Sequence, residues 1–353
     1  MTNPYKHLPD QAFWRRAVAN ALEVDPVIAS PLQITPADKV ATAGSCFAQH
    51  IARHLKQSGF NYFVTEPAHE LMSEKLAIAF NYGTFSARYG NIYTSAQLRQ
   101  LICRAFNEFV PIEGEWKDSD GHFVDPFRPQ IQPGGFLSVD ELRADRSQHL
   151  GAVRTMLQEL DYFVFTLGLT ECWLSTEDGA VFPLCPGVAG GSFDAKRYVF
   201  KNLSVTEITN DMLWVIDRLR SLNPKARTIL TVSPVPLVAT AVPGKHVLVS
   251  TTYSKAVLRV AAEEIIARRP DVAYFPSYEV ITGAFSRGKY FAEDLRSVTE
   301  EGISHVMRIF FRHFTSGTAV LPQPSTKPAA PSYLQQMMHA VEVNCEEEAL
   351  DPE

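Results

Sequence analysis

Short apolar runs alternate with amphipathic segments along most of this chain. Unbroken apolar runs indicate strands buried on both faces, and apolar residues at helical spacing indicate the helices that cover them. The runs predict strands at Val40 to Ala43, Phe60 to Val64, Tyr162 to Leu167, Thr228 to Val232 and Val272 to Phe275. Helices are predicted from Phe47 to Gly59, Val205 to Leu222, Tyr253 to Ala267 and Thr299 to Phe314, with a hairpin from Cys172 to Pro183. We therefore expect an α/β fold, a three-layer α/β/α sandwich around a doubly wound parallel sheet.

Three parts of the chain differ in composition. Residues 1–35 form a predicted N-terminal extension, residues 36–314 the main domain, and residues 315–353 a Pro-rich, then acidic tail. Within the main domain, residues 68–148 break the alternation and predict a long insertion after the second strand. The tail cannot bury a sizeable core, so we predict that it is disordered and dispensable, apart from a short helix at Tyr333 to Val343.

Composition narrows the choice of partners. With 46% hydrophobic and 20% charged residues in 353, the chain can bury a large core. A net charge of −6 without a basic run argues against nucleic acid. No apolar run approaches the roughly 18 residues of a membrane span, and no secretory leader is evident, so we expect a cytoplasmic protein. The five cysteines lack a C-x-x-C pair, so we expect free thiols, no metal and no cofactor. The sequence does not indicate an oligomeric state.

The pentapeptide Gly44-Ser45-Cys46-Phe47-Ala48 offers the clearest chemistry, because it places two nucleophilic side chains where a strand turns into a helix. The backbone N–H groups and positive dipole of a helix N-terminus lower the pKa of a thiol and can hold a developing oxyanion. The competing interpretation is structural: a tight glycine turn in which Ser45 caps the helix and Cys46 is buried.

Several further segments fit one family in order. They are Asn91 to Thr94, Asp125 to Pro129, Thr166 to Glu171, Thr231 to Val235, Tyr253 to Lys255 and Phe275 to Glu279. With the pentapeptide, they make residues 36–314 resemble the GSCFA family, which is grouped with the SGNH (GDSL-like) hydrolases. The resemblance implies an SGNH/flavodoxin-like sheet and an esterase-like scaffold, and it names no substrate.

The resemblance also implies roles for particular residues. In SGNH enzymes the first motif reads Gly-Asp-Ser, and its nucleophile falls on Cys46 here; a shift of one residue would make Ser45 the nucleophile. Gly83 corresponds to the second oxyanion donor. The third motif, Gly-x-Asn-Asp, falls on Gly168 to Glu171, so Thr170 stands where the family has an amide donor. A hydroxyl can still donate one hydrogen bond to an oxyanion.

The general base is the weakest part of this resemblance. SGNH enzymes carry Asp-x-x-His before the last helix, whereas this chain has Asp294 followed by Ser297 at the histidine position. Three histidines are alternatives. His246 follows the Thr228 to Val232 strand and is our first choice, with Asp294 to orient it. His50 lies four residues after Cys46 on the predicted helix, and His305 lies in the last helix.

A carbohydrate substrate is suggested if the insertion caps the site. The residues that would then surround its mouth are Trp116, Trp173, Tyr89, Tyr93 and Arg128; otherwise they pack the core of the insertion. Ser254-Lys255 resembles the Ser–Lys pair of some hydrolases, but it opens a predicted helix, and we favour the interpretation that it is an N-terminal turn. We expect a hydrolase or acyltransferase that acts on an acyl ester, with a carbohydrate as one substrate class. The alternative is an inactive domain that binds a glycan or a protein.

Overall fold

The computed structural model describes residues 3–316 and 345–351. The strands β1 to β9 are Val40–Gly44, Trp116–Lys117, Phe123–Val124, Tyr162–Leu167, Glu171–Ser175, Val181–Phe182, Tyr198–Asn202, Arg227–Val232 and Val272–Phe275. The helices α1 to α9 are Trp14–Ala17, Phe47–Gln57, Glu74–Ala79, Ser95–Ala105, Val139–Glu159, Val205–Leu222, Val247–Arg268, Ser277–Thr282 and Glu300–Phe314. Short 3-10 helices lie at Pro4–His7, Asp10–Ala12, Ala21–Glu23, Ala284–Ser286 and Glu346–Leu350.

The main sheet has four parallel strands in the order β1-β4-β8-β9. Gly44 of β1 pairs with Thr166 of β4, so both strands end side by side at the carboxyl edge of the sheet. The predicted α/β class and parallel sheet are confirmed. Loops that follow these strands meet at one edge, which is where α/β sheets bind ligands.

Helices cover both faces of this sheet because its strands alternate two sets of buried residues. Phe163 and Phe165 of β4 point toward the layer formed by α4, α5, α6 and α7. Val164, between them, points toward the layer formed by α2, α8 and α9. This two-sided burial explains why the strands are unbroken apolar runs in the sequence.

The predicted second strand, Phe60 to Val64, is wrong as an extended element. Only Tyr62 forms an isolated parallel bridge, with Val40, beside the edge strand β1. The chain then leaves the edge, because the Thr65 N–H bonds to the carbonyl oxygen of Ser86 instead of to β1. Phe60 remains in the core through a stacking contact with Phe311.

The stretch predicted as an insertion contributes directly to the main layers. Its predicted end, Gln148, lies inside α5, and both α4 and α5 pack against the sheet. The predicted hairpin is present as β5 and β6, which join β7 in a separate antiparallel sheet. A buried ion-pair network, formed by Arg88, Arg128, Asp125, Asp145 and Glu66, holds the remainder of the stretch together.

The tail also differs from its prediction at its far end. Cys345, Glu346 and Glu347 are buried against the main domain, so residues 345–351 are ordered rather than disordered. Their packing comes from contacts with side chains far away in sequence, which composition cannot show. The predicted helix at Tyr333 to Val343 lies outside the described residues. Within the described part of the chain, no helix has the length and apolar character needed to cross a membrane.

Candidate active site

Cys46 lies where β1 ends and α2 begins, as the sequence predicts. Gly44 has a φ of +136°, and a Cβ there would overlap the Thr166 carbonyl oxygen, so only glycine fits this turn. The Ser45 N–H then bonds to the same carbonyl oxygen at 3.3 Å. Cys46 is the N-cap residue of α2 and is 5% exposed. No side chain caps the helix, so the expected capping role of Ser45 is not found.

The segment that follows Gly90 crosses the carboxyl edge beside Cys46. The Ile92 N–H bonds to the Gly44 carbonyl oxygen at 2.8 Å, and the Tyr93 carbonyl oxygen accepts from Leu169 at 2.9 Å. The side chain of Asn91 is also held, because its Oδ1 accepts from Gln49 Nε2 at 3.1 Å. The backbone N–H of Asn91 is therefore fixed at this edge, next to both strands.

Gly83 does not take the place that the resemblance implies. Its carbonyl oxygen accepts a hydrogen bond from Lys56, and it is not among the residues that line the groove with Cys46. Asn91 belongs to the Asn91 to Thr94 segment that supports the family resemblance. Its backbone N–H could not be recognised as a donor from the sequence, because every residue except proline has a backbone N–H. Asn91 replaces Gly83 as the candidate oxyanion donor.

Three hydroxyl groups at this edge of the sheet are buried without a hydrogen-bond partner among the described residues. They belong to Ser45, Tyr93 and Thr170. Gly168 brings two of these residues together, because a Cβ on it would lie 2.9 Å from both Ser45 Cβ and the Tyr93 carbonyl oxygen. An unsatisfied buried hydroxyl costs free energy in a folded protein. Three of them at one edge of the sheet leave unused hydrogen-bonding capacity there.

Lys255 is the buried cation of this site. It lies on α7 and is 1% exposed, and its Nζ donates to the Gly168 carbonyl oxygen at 2.7 Å. Burial lowers the pKa of Lys255 to about 8, while nearby Glu347 and Cys46 act in the opposite direction. The interpretation of Ser254-Lys255 as a simple helix N-terminal turn is wrong, because α7 begins at Val247. The Ser254 hydroxyl instead accepts from the Thr170 N–H at 3.1 Å.

Two of the three candidate histidines have other roles. His246 is the N-cap of α7, where its Nδ1 accepts from the Leu248 N–H, and it does not line the groove with Cys46. Both ring nitrogens of His305 are engaged in the core, with the Tyr290 hydroxyl at 2.6 Å and the Val24 carbonyl oxygen at 2.8 Å. Neither imidazole is available to Cys46 in this structure.

His50 does share the groove with Cys46, one helical turn further along α2. Its Nδ1 lies 3.4 Å from the Arg53 guanidinium. Burial, with a further contribution from Arg53, lowers the pKa of His50 to about 3. The imidazole is therefore neutral at physiological pH and a weak base.

Asp294 orders its own loop instead of orienting a histidine. Its carboxylate accepts hydrogen bonds from the backbone N–H groups of Arg296 and Ser297 and from the Ser297 hydroxyl at 2.5 Å. These bonds fix the loop that presents Arg296 to the groove. Arg296 was not identified from the sequence, and a basic residue inside a motif that normally supplies histidine is the signal that could have found it.

The C-terminal segment, residues 345–351, fills the space above Cys46. Cys345 accepts a hydrogen bond from Arg296 at 3.1 Å, and Glu347 forms an ion pair with the same guanidinium at 3.5 Å. The Glu346 carboxyl group accepts from the Asn91 N–H and lies against Gly90, where a Cβ would come within 2.9 Å of Oε1. The segment thus covers both the thiol and the candidate oxyanion donor.

The thiols of Cys46 and Cys345 interact with one another. That interaction and burial raise the pKa of Cys46, so the lowering expected from the helix N-terminus is not found while the segment is in place. The same interaction, assisted by Arg296, lowers the pKa of Cys345. Burial and the nearby Cys345 sulfur raise the pKa of Glu346 to about 8 and that of Glu347 to about 8. The segment therefore docks best with these carboxyl groups protonated.

A groove of about 1410 Å³ adjoins the thiol pair. Residues of the predicted insertion, including Asn81 and Pro133, form one wall, as expected of a cap. The aromatic residues expected at its mouth do not lie there. Trp116 packs on Phe182 of β6, in a cluster shared by the predicted insertion and the small antiparallel sheet. The other four expected residues are engaged elsewhere: Trp173 with Phe200, Tyr89 with Phe85, Tyr93 near the C-terminal segment and Arg128 with Asp125.

Fold and site together define a three-layer α/β protein with a cysteine-centred pocket at the carboxyl edge of a parallel sheet. The family model of the GSCFA family matches residues 39–310, and the chain belongs to that family. Among curated proteins, none matches this chain.

Proposed function

We propose that the chain is an SGNH-type hydrolase or acyltransferase that cleaves an acyl ester through a thioester on Cys46. The observation that carries this proposal is the electrostatic interaction of the buried amine of Lys255 with Cys46. A nucleophile at a helix N-terminus and an amine with a pKa of about 8 thus lie near one another, at an edge of the sheet that also holds buried hydroxyl groups without partners among the described residues. Activated thiols act as nucleophiles in covalent catalysis, and a lysine with a lowered pKa can act as a general base.

Lys255 takes the role that a histidine has in related folds. An amine with a pKa of about 8 has a substantial neutral fraction at physiological pH, so it can accept the Cys46 proton. The Gly168 carbonyl oxygen holds Nζ in place at 2.7 Å. The resulting thiolate attacks the carbonyl carbon of the ester, and the ammonium returns the proton to the leaving alkoxide. Ser45 is the alternative nucleophile, because its buried hydroxyl also lies against Gly168.

Donors for the tetrahedral intermediate are present at the same edge. The Asn91 N–H is directed to the position of the Glu346 carboxyl group, and the Thr170 hydroxyl is buried without a partner. Preorganised donors of this kind each contribute about 3 kcal/mol to transition-state stabilisation. Thr170 thereby keeps the function, although not the amide, of the usual third motif.

The described arrangement is the closed form of this site. Cys345 interacts with the Cys46 thiol, and the Glu346 carboxyl group accepts the hydrogen bond of the Asn91 N–H. Residues 345–351 must therefore move away before a substrate can reach Cys46. The residues that would support a carbohydrate substrate do not lie at the groove; Trp116, for example, packs against Phe182 of β6. The proposal therefore specifies an acyl ester, and a sugar acceptor stays a prediction.

Burst kinetics with p-nitrophenyl butyrate test the proposal. Cys46→Ala removes the burst, and Lys255→Ala slows it by about 10²-fold or more. Added methylamine restores part of the Lys255→Ala rate, since a small amine can enter the cavity and serve as the base. A variant with a purely structural defect shows no such rescue. Full activity of Lys255→Ala would remove the lysine from the mechanism and leave His50 as the candidate base.

A binding module is the second candidate, and one observation favours it. Asp294 is engaged by its own loop, and Ser297 stands at the histidine position, so the usual base is absent. A binding module turns over no ester, and its ligand raises the melting temperature equally in wild type and Cys46→Ala. Ester turnover that depends on Cys46 excludes this candidate.

A further inference from the structure

Cys345 is the only one of the five cysteines, besides Cys46, that lines the groove. The two residues come from opposite ends of the sequence, yet both are buried at the same groove and their thiols interact. Arg296 donates to the Cys345 sulfur at 3.1 Å. Cys103, Cys172 and Cys185 are free thiols that do not line this groove.

We propose that Cys46 and Cys345 are an oxidation site, at which a peroxide converts the thiol pair into a disulfide that locks residues 345–351 over the groove. The regulatory consequence rests on the proposed function, because a lock matters only if Cys46 is the nucleophile. The contact between the thiols, their common groove and the guanidinium beside one of them support this assignment.

Cys345 reacts first. The neighbouring guanidinium favours its thiolate, which is the reactive form of a cysteine. The thiolate sulfur attacks one peroxide oxygen, the O–O bond breaks, and hydroxide leaves and takes up a proton to become water. Cys345 is now a sulfenic acid, oxidised by two electrons, while the peroxide is reduced.

Cys46 then resolves the sulfenic acid. Its sulfur attacks the Cys345 sulfur, an S–S bond forms and the S–O bond breaks. The departing hydroxide takes the Cys46 proton and leaves as a second water. Two thiols and one peroxide thus give one disulfide and two waters. The groove provides entry for a molecule as small as hydrogen peroxide.

The locked segment blocks the site by position. The Glu346 carboxyl group accepts the hydrogen bond of the Asn91 N–H, and Glu347 forms an ion pair with Arg296 at 3.5 Å. A disulfide prevents the departure of this segment and also consumes the nucleophile. A dithiol reductant reverses both effects, because thiol–disulfide exchange restores the two thiols.

The test treats the full chain with hydrogen peroxide and maps its peptides without reduction. We expect a Cys46–Cys345 crosslinked peptide, a fall in free thiols from five to three per chain and recovery of all five with dithiothreitol. Arg296→Gln slows the crosslink about tenfold, since one pKa unit is a tenfold change in thiolate. Cys103→Ser is the matched control and crosslinks at the wild-type rate.

A variant of Cys46 keeps the test decisive. In Cys46→Ser, dimedone traps the sulfenic acid on Cys345, and no crosslink forms. Peroxide treatment that leaves five thiols in the wild type, or that oxidises Cys103 as fast as Cys345, overturns the proposal. A crosslink without any acylation of Cys46 supports the oxidation site and contradicts the proposed function. Acylation of Cys46 without a crosslink does the reverse.

Discussion

Replacing Glu346 by Gln isolates the electrostatic cost of docking the C-terminal segment. Glutamine keeps the shape of the side chain and can accept the hydrogen bond from the Asn91 N–H. The docked carboxyl group is 2% exposed, and one of its oxygens has no partner among the described residues. The amide replaces one carboxyl oxygen by NH2 and cannot carry the negative charge, so we expect the variant segment to dock more tightly at neutral pH.

The magnitude follows from the shift in pKa. Burial raises the pKa of docked Glu346 from 4.5 to about 8, so the docked state binds a proton that the released state gives up. Docking is strongest below pH 4.5 and weakens as the pH rises toward 8. At pH 7 the free-energy cost of protonating Glu346 on docking reaches about 3 kcal/mol if the segment is rigid. Local relaxation reduces it, and we expect at least a tenfold change in the open fraction.

Alkylation of Cys46 by iodoacetamide, followed by peptide mapping, measures the open fraction. We expect Glu346→Gln to slow labelling at least tenfold at pH 7 and to have no effect near pH 4.5. Glu348→Gln is the matched control, because that side chain is 66% exposed and its ion pair with Arg296 contributes less than about 1 kcal/mol. Equal labelling of wild type and Glu346→Gln at pH 7, or a pH-independent ratio, would refute the docking account.

Three further predictions concern the scaffold, and urea unfolding measures each one. Asp125→Asn leaves buried guanidinium groups without their partner and lowers the free energy of unfolding by about 3 to 5 kcal/mol, whereas the exposed Asp10→Asn changes it by less than about 0.5 kcal/mol; equal effects would contradict the burial argument. His149 has its pKa lowered to about 4 by burial, so stability falls by roughly 3 kcal/mol as the pH drops from 6.5 to 4, and His149→Gln should flatten this slope. Gly44→Ala overlaps the Thr166 carbonyl oxygen and costs more than about 3 kcal/mol, while Gly179→Ala, which has open space, costs about 1 to 2 kcal/mol; the reverse order would be inconsistent with the turn geometry.

The sheet could be predicted from sequence because its strands are buried on both faces. Tyr162–Leu167 and Arg227–Val232 appear as apolar runs, and the final helix shows both its N-cap and its apolar face. Phe60 to Val64 failed because an apolar run does not specify which backbone it pairs with. One bridge at Tyr62 satisfies the pattern without making a strand.

The site was only partly predictable. Cys46 was identified because a strand, a glycine and a nucleophile were adjacent in sequence. Lys255 and Arg296 come from distant elements to lie near Cys46, and local sequence patterns do not report such convergence. The signal for Lys255 is its position on the buried face of α7, which it shares with Ser254 and Leu258. Cys345 lay in a tail whose composition indicates disorder, so nothing local indicated its contact with Cys46.

The histidines illustrate the limit of a family resemblance. The pattern of the wider superfamily requires an imidazole, which directed attention to His246 and His305. In the structure, His246 caps the N-terminus of α7, and His305 hydrogen-bonds to the Val24 carbonyl oxygen of the N-terminal extension. A group of a different chemical type, the buried amine of Lys255, interacts electrostatically with Cys46 and is the base that we propose.

Acylation of Cys46 is the most direct test of the central claim. The wild-type protein, kept reduced at pH 8, is mixed with p-nitrophenyl butyrate, quenched in acid within seconds and mapped by mass spectrometry. We predict a butyryl group on Cys46 that hydroxylamine removes, and a strongly reduced yield in Lys255→Ala. A butyryl group on Ser45, or on Cys345 alone, or equal acylation of Cys46 in wild type and Lys255→Ala, would contradict the account.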